Sequence, residues 1–105
     1  MQERGLSAYL AELIGTFLLV FFITSVVVLF VSTGSQAQFG SDFAVVGFVQ
    51  GLTLFGVIVM FGAVSGGHFN PAVTLAAATI KKISPLDAVI YILAQLSGAV
   101  LGALL

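Results

Sequence analysis

The stretch SGGHFNPAVTLA, residues 65–76, interrupts an apolar run and decides the fold. Two glycines and a histidine precede Asn70 and Pro71, which are favoured at the N-cap and the first position of a helix. The segment that follows, AVTLAAATI, is rich in alanine and ends at a pair of lysines, whose charges suit the negative end of a helix dipole. A helix from Pro71 to these lysines is about 13–15 Å long, half the thickness of a bilayer core.

The composition of the 105-residue chain indicates a membrane protein. Hydrophobic residues make up 60% of the chain and charged residues 7%, and the mean hydropathy is +1.25. A soluble domain carries about 25% charged residues. Three uncharged stretches, Leu13–Val31, Phe43–Val64 and Ala88–Leu105, contain 19, 22 and 18 residues. Each is a predicted transmembrane helix, since about 20 apolar residues cross the hydrocarbon core. A signal peptide is the alternative for the first stretch, but two further spans follow it.

The same composition argues against several classes of function. The chain has no cysteine, so disulfides and thiolate metal sites are not available. Its one histidine, His68, has no companions for a metal site or a catalytic triad. A net charge of −1 gives no basic surface for nucleic acid. We therefore expect no enzyme activity or catalytic residue, no metal, no cofactor and no nucleic-acid partner.

Residues at the edges of the spans indicate where the helices begin. The loop STGSQAQFGSD, residues 32–42, is polar and rich in turn residues, and Ser41 or Asp42 is predicted to cap the second helix. Ser84 and Pro85 form a clearer start, with serine as the N-cap and proline at the first position.

The basic residues predict the orientation of the chain. Arg4, Lys81 and Lys82 lie on the same side of the membrane if two crossings separate them, and the 32–42 loop has neither lysine nor arginine. By the positive-inside rule the N-terminus is cytoplasmic, in a multi-pass protein of the plasma or inner membrane. The third span then ends outside, in an apolar run that reaches Leu105, and we expect the sequence to be incomplete.

The segment 65–80 begins and ends on the same side of the membrane, although it is mostly apolar. It is either an interfacial amphipathic helix or a re-entrant half-helix that enters the membrane and returns. The segment AVTLAAATI lacks the charged face of an interfacial helix, which favours the re-entrant form. Non-helical backbone at membrane depth is tolerated only where it is buried in protein or lines a watery cavity. The preceding SGGH is therefore predicted to have such surroundings.

Three segments resemble the aquaporin and glycerol-facilitator (major intrinsic protein) family. GGHFNPAVT is similar to the family's Asn-Pro-Ala box, which begins a half-spanning helix. AELIGTFLLVFF, residues 11–22, resembles the family's first helix with its buried glutamate, here Glu12. YILAQLSGAVLGALL, residues 91–105, resembles the third helix. The resemblance covers nearly the whole chain in the correct order.

The resemblance implies a fold of six spanning helices and two half-helices in inverted repeats, with the site near the midplane. This chain resembles the first repeat, a single all-α membrane unit. Its expected transmembrane helices lie at about 6–31, 42–64 and 84–105, with a re-entrant loop and half-helix at 65–80. A second Asn-Pro-Ala box is absent from the sequence. The expected partners are therefore the lipid bilayer, a missing C-terminal half and, as is typical of the family, other copies in a homotetramer.

The resemblance also implies a pore site around the box. Asn70 donates its side-chain N–H groups to a passing oxygen, while Pro71 and Ala72 shape the turn and contact the opposite half-helix. A positive helix end together with fixed donors orients water and disfavours cations, protons included. The acceptors along the cytoplasmic half of the path would be the backbone carbonyls of Gly66, Gly67 and His68.

Three polar residues have alternative interpretations. Glu12 either lies at the membrane interface or, as the resemblance implies, is a buried acceptor for N–H groups of the re-entrant loop. His68 is expected to be a packed loop residue rather than a pH gate. Gln50 stands where the family's second helix contributes to the outer constriction, and there many water-selective members carry an aromatic side chain. It either hydrogen-bonds between helices or widens that constriction for glycerol-like solutes.

Two pairs of glycines predict close helix packing. Gly98 and Gly102 form such a face on the third span, and Gly47 and Gly51 form another on the second. Within the resembled fold these faces serve crossings inside one chain, and an oligomer interface is the alternative.

Two classes of function remain open. The first is a passive channel for water, small neutral solutes such as glycerol, or both, of which this chain supplies one half. The second is a non-conducting membrane fragment or packing module that needs a second half to form a pore. A variant of the first is a half-size channel of two chains paired in inverted orientation, which the one-sided basic residues disfavour.

Overall fold

The chain folds into helices in every regular part that the structure, a computed structural model, describes. It describes residues 5–29 and 39–105, without the side chains of residues 39–42. The helices are α1 (Leu6–Val27), α2 (Phe39–Ser65), α3 (Pro71–Thr79) and α4 (Pro85–Leu104). Three of them are long and apolar enough to cross a membrane. The predicted fold class, an all-α membrane protein with three spanning helices and one short helix, is confirmed.

The helix ends differ in detail from the expected boundaries. α1 continues into a π-helical turn at Val28 and Leu29, and the last residues of the predicted first helix lie outside the described part. Arg4 and residues 32–38 of the polar loop also lie outside it. α2 begins at Phe39, so Ser41 and Asp42 lie within its first turn and the prediction that one of them caps it is wrong. The same residue types are favoured at the N-cap and in the first turn, which makes the two positions hard to separate by sequence.

The short connection between α3 and α4 ends the first helix and begins the second in standard ways. Ser84 caps α4 by accepting a hydrogen bond of 3.2 Å from the backbone N–H of Asp87. α3 ends in a Schellman motif, in which the N–H groups of Lys81 and Lys82 bond back to the carbonyls one and two residues before its last residue. Lys81 has a φ of 63° there, a left-handed conformation more often occupied by glycine.

α1 lies at the centre and packs against both α2 and α4, whereas α3 packs against α4. The α1–α4 contact is close because glycines face backbone. A Cβ added to Gly98 would lie 2.3 Å from the carbonyl oxygen of Leu13, and one added to Gly102 would lie 2.7 Å from that of Phe17. Contacts advance along both helices in the same direction, so α1 and α4 are parallel.

α2 is the least covered of the three long helices. In the most apolar 18-residue stretch of each helix, 6% of the residues are buried for α2, against 28% for α1 and 33% for α4. A Cβ added to Gly47 or Gly51 meets no described atom within 4 Å. The predicted close packing at these two glycines is therefore wrong for contacts within the described chain, while it holds for Gly98 and Gly102.

Candidate functional site

A tight turn joins the end of α2 to the start of α3. Gly66, Gly67 and Phe69 have positive φ angles of 92°, 69° and 50°. Two of the three positions are glycine, for which this conformation carries no steric cost. The third is a phenylalanine, and its strain must be offset by contacts of its own. The turn spans the four residues between Ser65 and Asn70 and brings Asn70 to the N-terminus of α3.

A buried carboxylate holds this turn in place. Glu12 of α1 is fully buried and accepts four hydrogen bonds. The backbone N–H groups of His68 and Phe69 donate to it at 3.2 and 2.8 Å. The Ser65 hydroxyl and the Gln95 amide each donate at 2.6 Å. Glu12 thus joins α1, α2, the turn and α4 at one point, and the structure places it inside the protein rather than at an interface.

The network extends from Glu12 into α3. The amide nitrogen of Gln95 also donates to the hydroxyl of Thr74, at 2.9 Å. The same hydroxyl lies 2.9 Å from Nδ1 of His68 and 3.3 Å from the carbonyl oxygen of Asn70, to which it donates. The His68 ring therefore packs within the loop. These bonds fix the first turn of α3 relative to α4.

Two aromatic side chains complete the support. The Phe69 ring is buried against Gly15 of α1, where an added Cβ would lie only 2.2 Å from the ring. The fully buried Tyr91 donates to the carbonyl oxygen of Ser65 at 2.6 Å. Neither contact was predicted. The one available signal was the glycine three residues after Glu12, on the neighbouring face of the same helix.

On the side of the turn away from Glu12, several polar groups have no hydrogen-bond partner among the described residues. Asn70 and Ala72 are exposed and Pro71 is half-buried. The Oδ1 atom of Asn70 accepts from the N–H of Ala72 at 2.8 Å, and no described residue bonds to its amide nitrogen. The carbonyls of Gly66 and Gly67 likewise accept no hydrogen bond from the described residues. The structure brings together all the predicted site residues from 66 to 72.

Gln50 lies apart from this turn. It is an exposed residue of α2, fifteen positions before the helix ends at Ser65, which is about 22 Å along a helix axis. Its side chain makes no hydrogen bond to a described residue.

No metal-binding group of three or more acidic or histidine side chains occurs in the described ranges 5–29 and 39–105. The groups that the site presents are a donor amide, carbonyls without partners among the described residues, and a helix N-terminus.

Three spanning helices, with a short asparagine-capped helix between the second and the third, define an all-helical, multi-pass integral membrane protein. The family model described as MIP, Major intrinsic protein, matches residues 2–105. The chain belongs to this family, as its resemblance predicted.

Named relatives cover most of this chain. A glycerol uptake facilitator protein-like 6 of Lactiplantibacillus plantarum is 42% identical over 95 residues, which are 90% of this chain and 40% of the relative. A probable aquaporin AqpM of Archaeoglobus fulgidus is 36% identical over 92% of this chain and 45% of its own length. Mouse aquaporin-4 is 41% identical over 67% of this chain and 22% of its own. The chain thus spans less than half the length of these relatives.

Proposed function

We propose that this chain forms one half of a passive channel for water or small neutral solutes, with Asn70 as a hydrogen-bond donor in the pore. One observation carries the proposal: Asn70 caps α3 with its oxygen while its amide nitrogen is left open on an exposed surface. Relatives named as aquaporins and as a glycerol uptake facilitator-like protein support it. No bond is made or broken in this function, so neither a cofactor nor a catalytic residue is needed.

The arrangement around Asn70 suits an uncharged, hydrogen-bonding solute. The N-terminus of α3 carries a partial positive charge, which disfavours a cation at this point. Asn70 offers a donor, and the carbonyls of Gly66, Gly67 and His68 offer acceptors along the turn. A water molecule or an alcohol exchanges its bonds to solvent for these without a large desolvation cost. Pro71 and Ala72 stand next to the donor, where a second half-helix would touch them.

The topology of the proposal follows the positive-inside rule. The N-terminus and the lysines after α3 lie in the cytoplasm, and the segment 65–80 enters the membrane and returns within a single unit. The second half of the pore is an inverted repeat that presents its own half-helix to Asn70. The uncovered apolar face of α2 is available for that repeat, for lipid or for neighbouring copies in a homotetramer.

The same uncovered face supports the alternative, a non-conducting membrane module. The described helices cover little of α2, so they do not by themselves enclose a path beside it. Osmotic shrinkage of proteoliposomes distinguishes the two functions, with the 105-residue chain compared with the product of its full reading frame. Conduction by either protein supports the channel. If the 105-residue chain conducts without any further sequence, it is a half-size channel. If both proteins are shown to be inserted and their vesicles shrink no faster than empty liposomes, the channel proposal is contradicted.

Replacing Asn70 by aspartate is expected to reduce water permeability about fivefold, the factor for one lost hydrogen bond of about 1 kcal/mol. Aspartate caps a helix as well as asparagine does, so α3 remains folded, but it has no N–H groups to donate. Stopped-flow light scattering measures the permeability and circular dichroism the helix content. Asn70→Ala is the companion variant, because it removes both cap and donor. Wild-type permeability in Asn70→Asp would exclude the amide as a pore donor.

Replacing Gln50 by phenylalanine is expected to lower glycerol permeability while water permeability is kept. The aromatic ring is wider than the amide and offers no hydrogen bonds to a polyol. Both permeabilities are measured on the same vesicles, and their ratio reports selectivity independently of protein yield. Phe48→Leu, at an exposed position two residues away on another face of α2, is the matched control. An unchanged ratio in Gln50→Phe would place Gln50 outside the constriction.

A further inference from the structure

Two buried polar atoms of the α1–α4 contact have no hydrogen-bond partner among the described residues. They are the hydroxyl oxygen of Thr16 and the amide oxygen of Gln95. Gln95 is fully buried and Thr16 is 4% exposed. Buried side-chain oxygens of this kind are nearly always bonded, to protein or to an ordered water molecule. Another protein chain does not reach them without opening the helix pair.

The two atoms lie about one helical turn apart, by the contacts of their neighbours. The amide nitrogen of Gln95 donates to Glu12, which lies one turn before Thr16 on α1. Gly98, one turn after Gln95 on α4, contacts the backbone of Leu13 and Phe17. Gln95 therefore lies beside Glu12, and Thr16 lies one turn further along α1, near the level of Gly98.

Turning the Gln95 amide over does not satisfy its oxygen. Turning the Gln95 amide over would place its oxygen against the Glu12 carboxylate, where the nitrogen now donates at 2.6 Å. Thr24, on the same helix as Thr16, donates to the carbonyl of the preceding turn at 2.8 Å. Thr16 makes no such bond in the structure.

We propose that one ordered water molecule lies between α1 and α4 and bridges the Thr16 hydroxyl to the Gln95 amide oxygen. The water donates one hydrogen to Gln95 and accepts the hydroxyl hydrogen of Thr16, so that both atoms are satisfied. Its effect is to fix which end of the Gln95 amide faces Glu12 and Thr74. Thr16 is then a positioning residue for the turn, acting through a water that is separate from any conducted solute. The inference does not depend on the proposed channel function.

The sign of one substitution tests this bridge. Thr16→Val has the same shape and removes only the hydroxyl. With a bridging water, it removes the hydrogen bond from Thr16 to the water, which is then held less well against Gln95, and we expect the melting temperature to fall by about 2–4 °C. Thr16→Ser retains the hydroxyl and should recover most of the loss. Thr24→Val, the same change on the same helix, corrects for the general effect of valine. The protein is expressed from its full reading frame. A Thr16→Val melting temperature equal to or above that of Thr24→Val would overturn the proposal.

A second measurement is independent of stability. A crystal structure of the full-length protein at about 2 Å resolution or better should show a density peak within hydrogen-bond distance, about 2.6–3.2 Å, of both oxygen atoms. In Thr16→Val the same peak should be lost or weakened. Well-ordered helices with no peak between these atoms in the wild type would disprove the bridge, even if Thr16→Val is destabilising for another reason.

Discussion

Glu12→Ala is expected to lower the free energy of unfolding by about 4 kcal/mol or more, which would leave little folded protein. The carboxylate accepts four buried hydrogen bonds, two of them from backbone N–H groups of the turn. Each buried donor left without an acceptor costs about 1–3 kcal/mol. Water that enters the cavity left by the carboxylate recovers part of this cost. We therefore expect the lower end of the cost summed over the four donors. Unfolding in mixed detergent, followed by circular dichroism, gives the free energy.

Glu12→Gln is the informative companion of this variant. Its carbonyl oxygen still accepts from one side of the network, but its NH₂ group points its hydrogens at donors on the other side. We expect an intermediate loss of stability, with earlier hydrogen exchange at the amides of His68 and Phe69 in the turn than at the amides of α3. A Glu12→Ala protein as stable as the wild type would show that the turn is held by other contacts, such as the Phe69 ring against Gly15.

The same variants distinguish support from transport. The proposal gives Glu12 no contact with the solute, because it is fully buried behind the turn. Glu12→Gln should therefore reduce the number of folded channels while each remaining channel conducts at the wild-type rate. Permeability divided by the amount of folded protein in the vesicles measures this. A lower rate per folded channel would place Glu12 in the conduction mechanism instead.

The sequence predicted the spans and the short helix well, because their signals are local. Uncharged stretches of about 20 residues mark spanning helices wherever lipid is the solvent. Asn70-Pro71 and Ser84-Pro85 mark helix starts by chemistry that acts within one turn, and both serve as caps in the structure. Glycines three or four residues apart marked a close helix contact at Gly98 and Gly102.

The support of the site was less predictable, because its contacts join distant parts of the chain. Glu12 meets partners 53 to 83 residues away. In lipid, the buried and exposed faces of a helix are both apolar, so hydrophobic periodicity does not reveal which residues face inward. That is why Gly98 and Gly47 look alike in sequence but have different surroundings in the structure. The resemblance supplied a role for Glu12, but the Gln95–Thr74 hydrogen bond and the Phe69–Gly15 contact are evident only from the three-dimensional structure.

Gly98→Ala is expected to destabilise the protein by about 3 kcal/mol or more, because the added methyl group would lie 2.3 Å from the carbonyl oxygen of Leu13. That oxygen belongs to helix backbone and cannot move without displacing α1. Separation of the helices would also pull Gln95 away from Glu12. Gly47→Ala makes the same chemical change on α2, where the methyl group meets no described atom within 4 Å.

The two alanine variants should therefore differ in sign. In Gly47→Ala only the helix-propensity term remains, and that term stabilises a helix by about 0.5–1 kcal/mol. Denaturation in mixed detergent measures both variants under one protocol. A Gly98→Ala protein as stable as the wild type would mean that α1 and α4 are not in backbone contact. A loss in Gly47→Ala comparable to that in Gly98→Ala would instead indicate that α2 packs as closely on a second repeat or a neighbouring copy as α4 does on α1.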